Sequence, residues 1–116
     1  MPSLRTKETE SIYQEYLKTS DPNYCPFCAK DLLVTEYEYW MVLKNRFPYD
    51  EIASNHDMLV LKRHVTKMSD IREHELIEYY KLVEDILTGE YSYYAMNMPE
   101  ERTIPMHLHY HLIKFK

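Results

Sequence analysis

Residues 106–113 alternate histidine with apolar or aromatic residues, and this alternation constrains the fold more strongly than any other stretch of the chain. Successive side chains of a β-strand point to opposite faces, so the pattern predicts a strand with His107, His109 and His111 on one face. Neighbouring histidines would lie about 6.6–6.8 Å apart at their backbones, from the rise per residue of a strand. Imidazole can act as nucleophile, proton carrier or metal ligand near neutral pH, so we expect this face to carry chemistry rather than only to face water.

Length and composition indicate one domain, residues 1–116, because 116 residues suffice for one core and are too few for two. Apolar residues make up 45% of the chain and charged residues 28%, which is typical of globular proteins. The sequence has no apolar run of the length that predicts a membrane span, and its N-terminus lacks the apolar segment of a signal peptide. We therefore expect a cytoplasmic protein without membrane contact.

Net charge and glycine content exclude two classes of nucleotide or nucleic-acid site. The formal net charge of −5 argues against an extended nucleic-acid surface, which needs clustered lysine and arginine. The single glycine, Gly89, excludes a glycine-rich phosphate loop. A small anionic ligand stays compatible with the sequence, since residues 62–64 form a local basic cluster.

The order of predicted elements is helix, strands, helix, strands, which indicates an α+β domain with an antiparallel sheet. In the central helix Ser69 and Asp70 are the expected cap, Gly89 closes the segment, and Ile77, Tyr80 and Ile86 belong to the predicted apolar stripe. The sequence predicts an N-terminal segment, 1–21, that contains a helix at 4–19. It predicts a core at 22–116 with strands at 34–36, 39–43 and 57–64, a helix from 70 to about 87, and strands at 91–97 and 106–115.

The only two cysteines, Cys25 and Cys28, have the C-x-x-C spacing that in a reducing compartment favours metal or redox chemistry. A structural zinc site needs two further ligands, and His64 and His107 are candidates because they end or begin predicted strands. A thioredoxin-like redox pair is one alternative, although it requires the motif at a helix N-terminus after a parallel strand. A catalytic zinc on His107 and His109 is another, and it would leave both cysteines without a role.

Four segments resemble the histidine triad (HIT) family. Residues 107–113 match its H-φ-H-φ-H-φ-φ signature, in which φ is hydrophobic. Residues 56–64 resemble the family's earlier strand, which runs from one histidine through a hydrophobic run and a basic pair to a second histidine. Residues 45–49 are similar to the loop before that strand. The C-x-x-C pair resembles the zinc knuckle of many bacterial members and of the related galactose-1-phosphate uridylyltransferases, so the resemblance spans residues 25–113 in the family's order.

This resemblance implies a HIT-like fold, with an antiparallel sheet of about five strands, an N-terminal helix and one long central helix. It also implies a zinc-stabilised nucleotide hydrolase or nucleotidyl transferase that acts at the α-phosphate through a covalent nucleotidyl-histidine. The implied roles are His109 as nucleophile, His111 and His56 as phosphate-site and supporting histidines, Asn45 as ribose contact, and Cys25, Cys28, His64 and His107 as ligands of structural zinc. The remaining histidine, His74, is interpreted as an ordinary, partly exposed residue.

The segment before the triad departs from the family pattern, since residues 100–106 lack the glycine and the serine or glutamine of many active members. The resemblance assigns the polar position to Thr103 and a phosphate contact to Arg102. The departure motivates an alternative function, a nucleotide-binding or interaction module with the HIT fold and little catalytic activity. Family members are commonly homodimers that pair through the long helix and an adjacent strand, so the resemblance also implies a homodimer.

Overall fold

The computed structural model describes residues 4–99 and 107–116, which contain two α-helices and a five-stranded sheet. Their bounds are α1 Lys7–Thr19, β1 Leu33–Glu36, β2 Trp40–Lys44, β3 Ala53–Leu61, α2 Glu73–Lys81, β4 Tyr93–Ala95 and β5 His109–Phe115. All neighbouring strands are antiparallel and their order is β1-β2-β3-β5-β4. The predicted α+β class and antiparallel sheet are confirmed. Among the described helices, none combines the length and apolar character that crossing a membrane requires.

The N-terminal helix and strand β3 have different bounds from those predicted. Helix α1 begins at Lys7 because the Thr6 side chain accepts the Thr9 backbone N–H and caps it, so the helix fills only part of the segment 1–21. Strand β3 begins at Ala53 and ends at Leu61 instead of spanning 57–64. His56 therefore lies inside the strand, and His64 lies in the loop that follows it.

The central helix starts later than predicted, and Ser69 and Asp70 do not cap it. They belong to a 3₁₀ turn, Met68–Asp70, and α2 begins at Glu73 with Arg72 as its N-cap. The Glu75 carboxylate explains this start, since it accepts the Arg72 backbone N–H at 2.8 Å. The helix continues as a π-helical turn over Leu82–Ile86, and Gly89 beyond it has φ +92°, as its predicted closing role requires.

The predicted alternation between two faces of the sheet is confirmed from His109 onward, whereas the predicted strand does not extend back to His107. One face packs against α2 and holds the larger core cluster, which includes Trp40, Leu59, Leu61, Tyr79, Leu82, Leu108, Tyr110 and Leu112. The opposite face carries a second cluster, Phe27, Met41, Leu43, Met58 and Val60. His109 pairs with Val60 and His111 with Met58 across β5 and β3, so the histidines extend this second face. His107 itself lies in a bend before β5.

Helix α1 is anchored to the loop that precedes β3. The Asp50 carboxylate accepts hydrogen bonds from the Thr6 backbone N–H at 2.8 Å, the Thr6 hydroxyl at 3.1 Å and the Thr9 hydroxyl at 2.5 Å. The rings of Tyr13 and Tyr16 pack on Phe47 at centroid distances of 5.0 and 4.9 Å. These contacts fix α1 beside the sheet face that carries the histidines.

Replacing Asp50 by alanine is expected to loosen α1, because three hydrogen bonds to one carboxylate disappear together. We expect a loss of about 1–3 kcal/mol in the free energy of unfolding. Denaturant titration measures that loss, and amide hydrogen exchange locates it in residues 7–19. Glu51→Ala is the matched control, since it removes a neighbouring exposed carboxylate and should change stability by less than about 0.5 kcal/mol. Unchanged protection of α1 in Asp50→Ala would contradict this account.

Candidate active site and metal centre

A cleft of about 370 Å³ lies beside the histidine face, within the size range of small-molecule sites. Its lining includes His109 and His111 of β5, aromatic residues of α1, the segment that carries the cysteines and the loop after β2. The aromatic walls are formed by Tyr13, Tyr16, Tyr24, Phe27 and Phe47. Two exposed cations, Lys44 and Arg46, also line it. The cleft thus combines imidazoles, flat aromatic walls and positive charge.

The tautomer of His109 is fixed by its backbone neighbour. Its Nδ1 lies 3.0 Å from the carbonyl oxygen of His107, and a carbonyl can only accept a hydrogen bond. In the neutral ring Nδ1 therefore carries the proton and Nε2 carries the lone pair. The residue is 6% exposed, and the ring of Phe27 packs on it at 4.8 Å. His109 is consequently an oriented imidazole in the wall of the cleft, with its lone pair on Nε2.

His56 and His111 form a directed chain of hydrogen bonds. The Tyr49 backbone N–H donates to His56 Nδ1 at 2.9 Å, so neutral His56 carries its proton on Nε2. That Nε2 lies 2.9 Å from His111 Nδ1, which must accept. His111 is thereby left with its proton on Nε2, an atom that is buried and has no hydrogen-bond partner among residues 4–99 and 107–116. Since His111 lines the cleft, this N–H is a donor for a ligand oxygen.

Burial keeps both members of this pair uncharged. It lowers the pKa of His56 to about 3, and electrostatic interactions with Arg5, His109 and Lys44 lower it further. Burial likewise lowers the pKa of His111 to about 3, and His109, His56 and Arg5 add to the effect. Both rings are neutral near pH 7, as the directed chain of hydrogen bonds requires.

This protonation state makes stability depend on pH. Both folded pKa values, about 3, lie below the ordinary histidine value of 6.5, so the unfolded chain binds more protons between these limits. We expect the free energy of unfolding to fall steadily as the pH drops from about 6.5 towards 4. Replacing His111 by glutamine should reduce that slope, whereas replacing the exposed His74 by glutamine should leave it unchanged. Equal slopes in wild type and His111→Gln would contradict the assignment.

Cys25, Cys28, His64 and His107 lie close enough together to bind a metal ion, with all four ligand atoms within 4.8 Å of one another. Nε2 of His107 lies 2.7 Å from the Leu61 carbonyl oxygen, so Nδ1 carries the lone pair and faces the sulfurs. This Nδ1 is 3.3 Å from Cys25 Sγ and 3.5 Å from Cys28 Sγ, and His64 Nδ1 is 3.0 Å from Cys28 Sγ. Ligand atoms of a tetrahedral zinc are about 3.5 Å apart, so this Cys₂His₂ set fits zinc.

The surroundings of Cys28 and His107 shift the pKa of both side chains. Loss of hydration raises the pKa of Cys28 to about 11, and the neighbouring Cys25 adds to this shift. Burial lowers the pKa of His107, which keeps this imidazole neutral and able to coordinate. A bound cation would favour the cysteine thiolates instead, because the positive charge stabilises them. The four side chains are therefore suited to a metal ion more than to an isolated pair of thiols.

Neither alternative for the cysteines fits this geometry. The pair lies in a turn segment beside an antiparallel sheet, whereas a thioredoxin-like site needs a helix N-terminus after a parallel strand. A catalytic zinc on His107 and His109 is also disfavoured, since His107 presents its lone pair to the cysteines and His109 is not part of the metal-ligand group found in the described chain. His107 instead joins the two sites, because its backbone carbonyl orients His109.

Asn45 lies next to the histidine pair. Its Oδ1 accepts the Phe47 backbone N–H at 2.8 Å, and its Nδ2 lies 3.3 Å from His56 Nε2. It also lines the cleft. Thr103 and Arg102 fall outside the described residues, as does the rest of 100–106. His74 is exposed and packs against Tyr39 at 4.6 Å, away from the cleft, as interpreted from the sequence.

Three residues of the site carry no assignment in the sequence analysis. The Tyr49 ring packs on His56 and His111 at 4.5 and 5.0 Å. Phe27, between the two cysteines, contacts His109, and Arg5 lines the cleft from a position before α1. Tyr49 and Phe27 lie within the segments that resemble the family, so their proximity to the motifs was a usable signal. Arg5 had none, because the contacts with Phe47 and Tyr49 that bring it to the site lie more than forty residues away in sequence.

No protein-family model matches the chain, and no curated protein is significantly similar to it in sequence. Among solved structures, it is similar to a HIT family hydrolase from Clostridium thermocellum, with 22% identity over 79% of this chain and 90% of that one and a TM-score of 0.61. It is also similar to a histidine triad nucleotide-binding protein from Sulfolobus tokodaii, with 21% identity over 78% of this chain and 68% of that one and a TM-score of 0.58. The chain therefore has the HIT fold that its motifs indicate.

Proposed function

We propose that this protein is a nucleotide hydrolase or nucleotidyl transferase that acts at an α-phosphate through a covalent intermediate on His109. The observation that carries the proposal is the pair of fixed tautomers in one cleft. His109 presents a lone pair on Nε2, and His111 presents a proton on its own Nε2. A nucleophile beside a neutral hydrogen-bond donor is the arrangement that phosphoryl transfer needs. The names of the two similar structures, a hydrolase and a nucleotide-binding protein, support the same class.

In the first step, His109 Nε2 attacks the α-phosphorus. The new N–P bond forms as the bond between phosphorus and the leaving group breaks, and the leaving group departs with the electron pair and takes a proton from solvent. The imidazole becomes positively charged, and the His107 carbonyl stabilises it through the Nδ1–H hydrogen bond. His111, held by His56, donates to a phosphoryl oxygen where negative charge develops.

In the second step, water or another acceptor attacks the phosphorus. The new O–P bond forms, the N–P bond breaks, and the acceptor loses its proton to solvent, which returns His109 to its neutral state. The aromatic walls of the cleft would hold the base, and Asn45, which lines the cleft beside His56, would contact the ribose. Thr103 and Arg102 keep their proposed phosphate contacts as expectations from the family pattern.

We further propose that zinc occupies the Cys25, Cys28, His64 and His107 group and acts structurally. Zinc supplies folding energy there by crosslinking distant segments of the chain. The same ligand His107 orients the nucleophile through its carbonyl, and Phe27 of the knuckle packs on both His107 and His109 at 5.5 and 4.8 Å. Zinc bound to these four residues would therefore position the start of β5 without contacting substrate.

A panel of nucleoside phosphoramidates and dinucleoside polyphosphates tests the proposed activity. We expect release of a nucleoside monophosphate, with a first-turnover burst of leaving group if the second step is slower. Isothermal titration with AMP measures binding separately. Tight AMP binding without release of product from any member of the panel would refute the enzyme and establish the alternative, a nucleotide-binding module.

We also propose that the protein forms a homodimer through β4 and α2. Within residues 4–99 and 107–116, strand β4 has a sheet neighbour on one side only. The residues of the expected helical stripe that the sheet does not cover, Ile77, Tyr80 and Ile86, are 48–55% exposed. Tyr94 of β4, whose ring lies 6.4 Å from that of Tyr79 on α2, is 47% exposed. An apolar surface that adjoins an open strand edge suits a second copy of the chain.

Sedimentation velocity tests this interface. Wild type is expected to sediment as a dimer, and Ile77→Asp is expected to sediment as a monomer because it places a charge in the apolar contact. Ile12→Asp is the control, since Ile12 is 61% exposed on α1 and should leave the dimer intact. A monomeric wild type at micromolar concentration would refute the proposal.

A further inference from the structure

We propose that Arg5 is a phosphate-binding residue of this cleft, contributed by the segment before α1. The inference rests on the proposed nucleotide function and adds to it a cation that lies outside every motif of the chain. Arg5 lines the same cleft as His109 and His111. Its side chain is only 11% exposed, so its charge acts at short range and in a weakly screening environment.

The guanidinium group of Arg5 is held in place between two aromatic rings. It lies 4.3 Å from the ring centroid of Tyr13 on α1 and 4.9 Å from that of Tyr49 on the loop before β3. Its Nε donates a hydrogen bond to the Phe47 carbonyl oxygen at 2.8 Å. These contacts order a long side chain before any ligand arrives, which lowers the entropic cost of a charged contact.

Tyr49 connects this cation to the histidine pair. One ring neighbour of Tyr49 is the Arg5 guanidinium, and the others are His56 and His111 at 4.5 and 5.0 Å. The positive charge of Arg5 contributes to the lowered pKa of both histidines, which places it within electrostatic range of them. A phosphoryl group bound by the His111 N–H would lie within the same field.

The positive charge of Arg5 would compensate the negative charge of a bound phosphate. A nucleotide phosphate is anionic, whereas His56 and His111 are neutral and can offer only hydrogen bonds. Lys44 and Arg46 also line the cleft, but both are exposed and therefore screened by water. The Glu10 carboxylate lies 3.5 Å from Arg5 Nη1 and partly offsets its charge. Removing Glu10 should consequently strengthen anion binding, and removing Arg5 should weaken it.

Equilibrium binding of AMP and adenosine separates a charge effect from a loss of shape. In Arg5→Met the dissociation constant for AMP should rise about 10–100-fold, the range of charge-assisted hydrogen bonds. The constant for adenosine should change less than about 3-fold, because adenosine carries no phosphate. Arg5→Lys should recover part of the AMP affinity. Lys7→Met, which removes an exposed cation of α1 that does not line the cleft, should raise the AMP constant less than about 3-fold.

If Arg5→Met loosens α1, hydrogen exchange of residues 7–19 will show it. Glu10→Gln then tests the charge effect independently, because it leaves Arg5 in place. This variant should bind AMP about 3-fold tighter or more with unchanged adenosine affinity, because a neutral amide no longer offsets the positive charge of Arg5. Equal weakening of AMP and adenosine in Arg5→Met, together with unchanged AMP affinity in Glu10→Gln, would overturn the role of Arg5 alone. A wild-type protein that binds neither ligand would overturn the nucleotide function as well.

Discussion

Replacing His109 by alanine is expected to lower turnover of a nucleotide substrate by about 10⁴-fold or more, because no other group takes over the N–P bond. The fold should survive, since His109 lies at the start of β5 and its ring faces the cleft rather than the α2 side of the sheet. Steady-state kinetics and the thermal midpoint, measured on the same preparation, test both parts of this expectation.

Matched variants show whether the effect belongs to the nucleophile. His111→Ala removes the N–H that would donate to the phosphate and should lower turnover by about 10²–10³-fold, the usual effect of losing one such donor. His74→Ala removes an exposed histidine from α2 and should leave turnover unchanged. An His109→Ala enzyme with more than a tenth of wild-type turnover would rule out the covalent mechanism.

Replacing Cys25 by serine is expected to abolish zinc binding and to cost about 5 kcal/mol of unfolding free energy. A zinc ion bound there would crosslink the Cys25–Cys28 segment, the loop after β3 and the bend before β5, which lie about 40–80 residues apart in sequence. Elemental analysis should find one zinc per wild-type chain and none in the variant. The nucleophile should also lose order, because His107 orients His109.

A chelator provides the control for this prediction. It should lower the thermal midpoint of wild type to that of Cys25→Ser and leave the variant unaffected, and added zinc should restore wild type only. A metal-free wild type with the same stability as the zinc-loaded protein would refute the structural role of zinc.

The sequence predicted the histidine face because its signal is local. Alternation with a period of two assigns His109 and His111 to one side of a strand wherever the strand packs. The C-x-x-C spacing similarly predicts a pair of ligands, and the two histidines that complete the group were found from their positions at predicted strand ends. The structure brings all four within ligand distance.

Element ends were harder to predict, because they depend on contacts between distant residues. The start of α2 depends on Glu75, which accepts the Arg72 backbone N–H and also pairs with Arg63 of the preceding loop at 2.7 Å. The apolar stripe of that helix was likewise only partly right. Tyr79 is buried, while Ile77 and Tyr80 are exposed, since helical spacing does not reveal which side faces the sheet.

The position of Arg5 in the cleft could not be predicted from the sequence. Arg5 is a single basic residue ahead of a helix, and only the folded chain places it against Tyr49 and Phe47. The same holds for the tautomers of the histidines. They depend on backbone partners, the His107 carbonyl and the Tyr49 N–H, that a residue pattern does not specify.

Mass spectrometry of the enzyme quenched during turnover tests the central claim most directly. The account predicts one nucleoside monophosphate adduct per chain, stable to base, labile to acid as N–P bonds are, and located by fragmentation on His109. The adduct should be absent from His109→Ala and present in His74→Ala. An adduct on any other residue, or efficient turnover of substrate with no adduct at any quench time, would contradict the account.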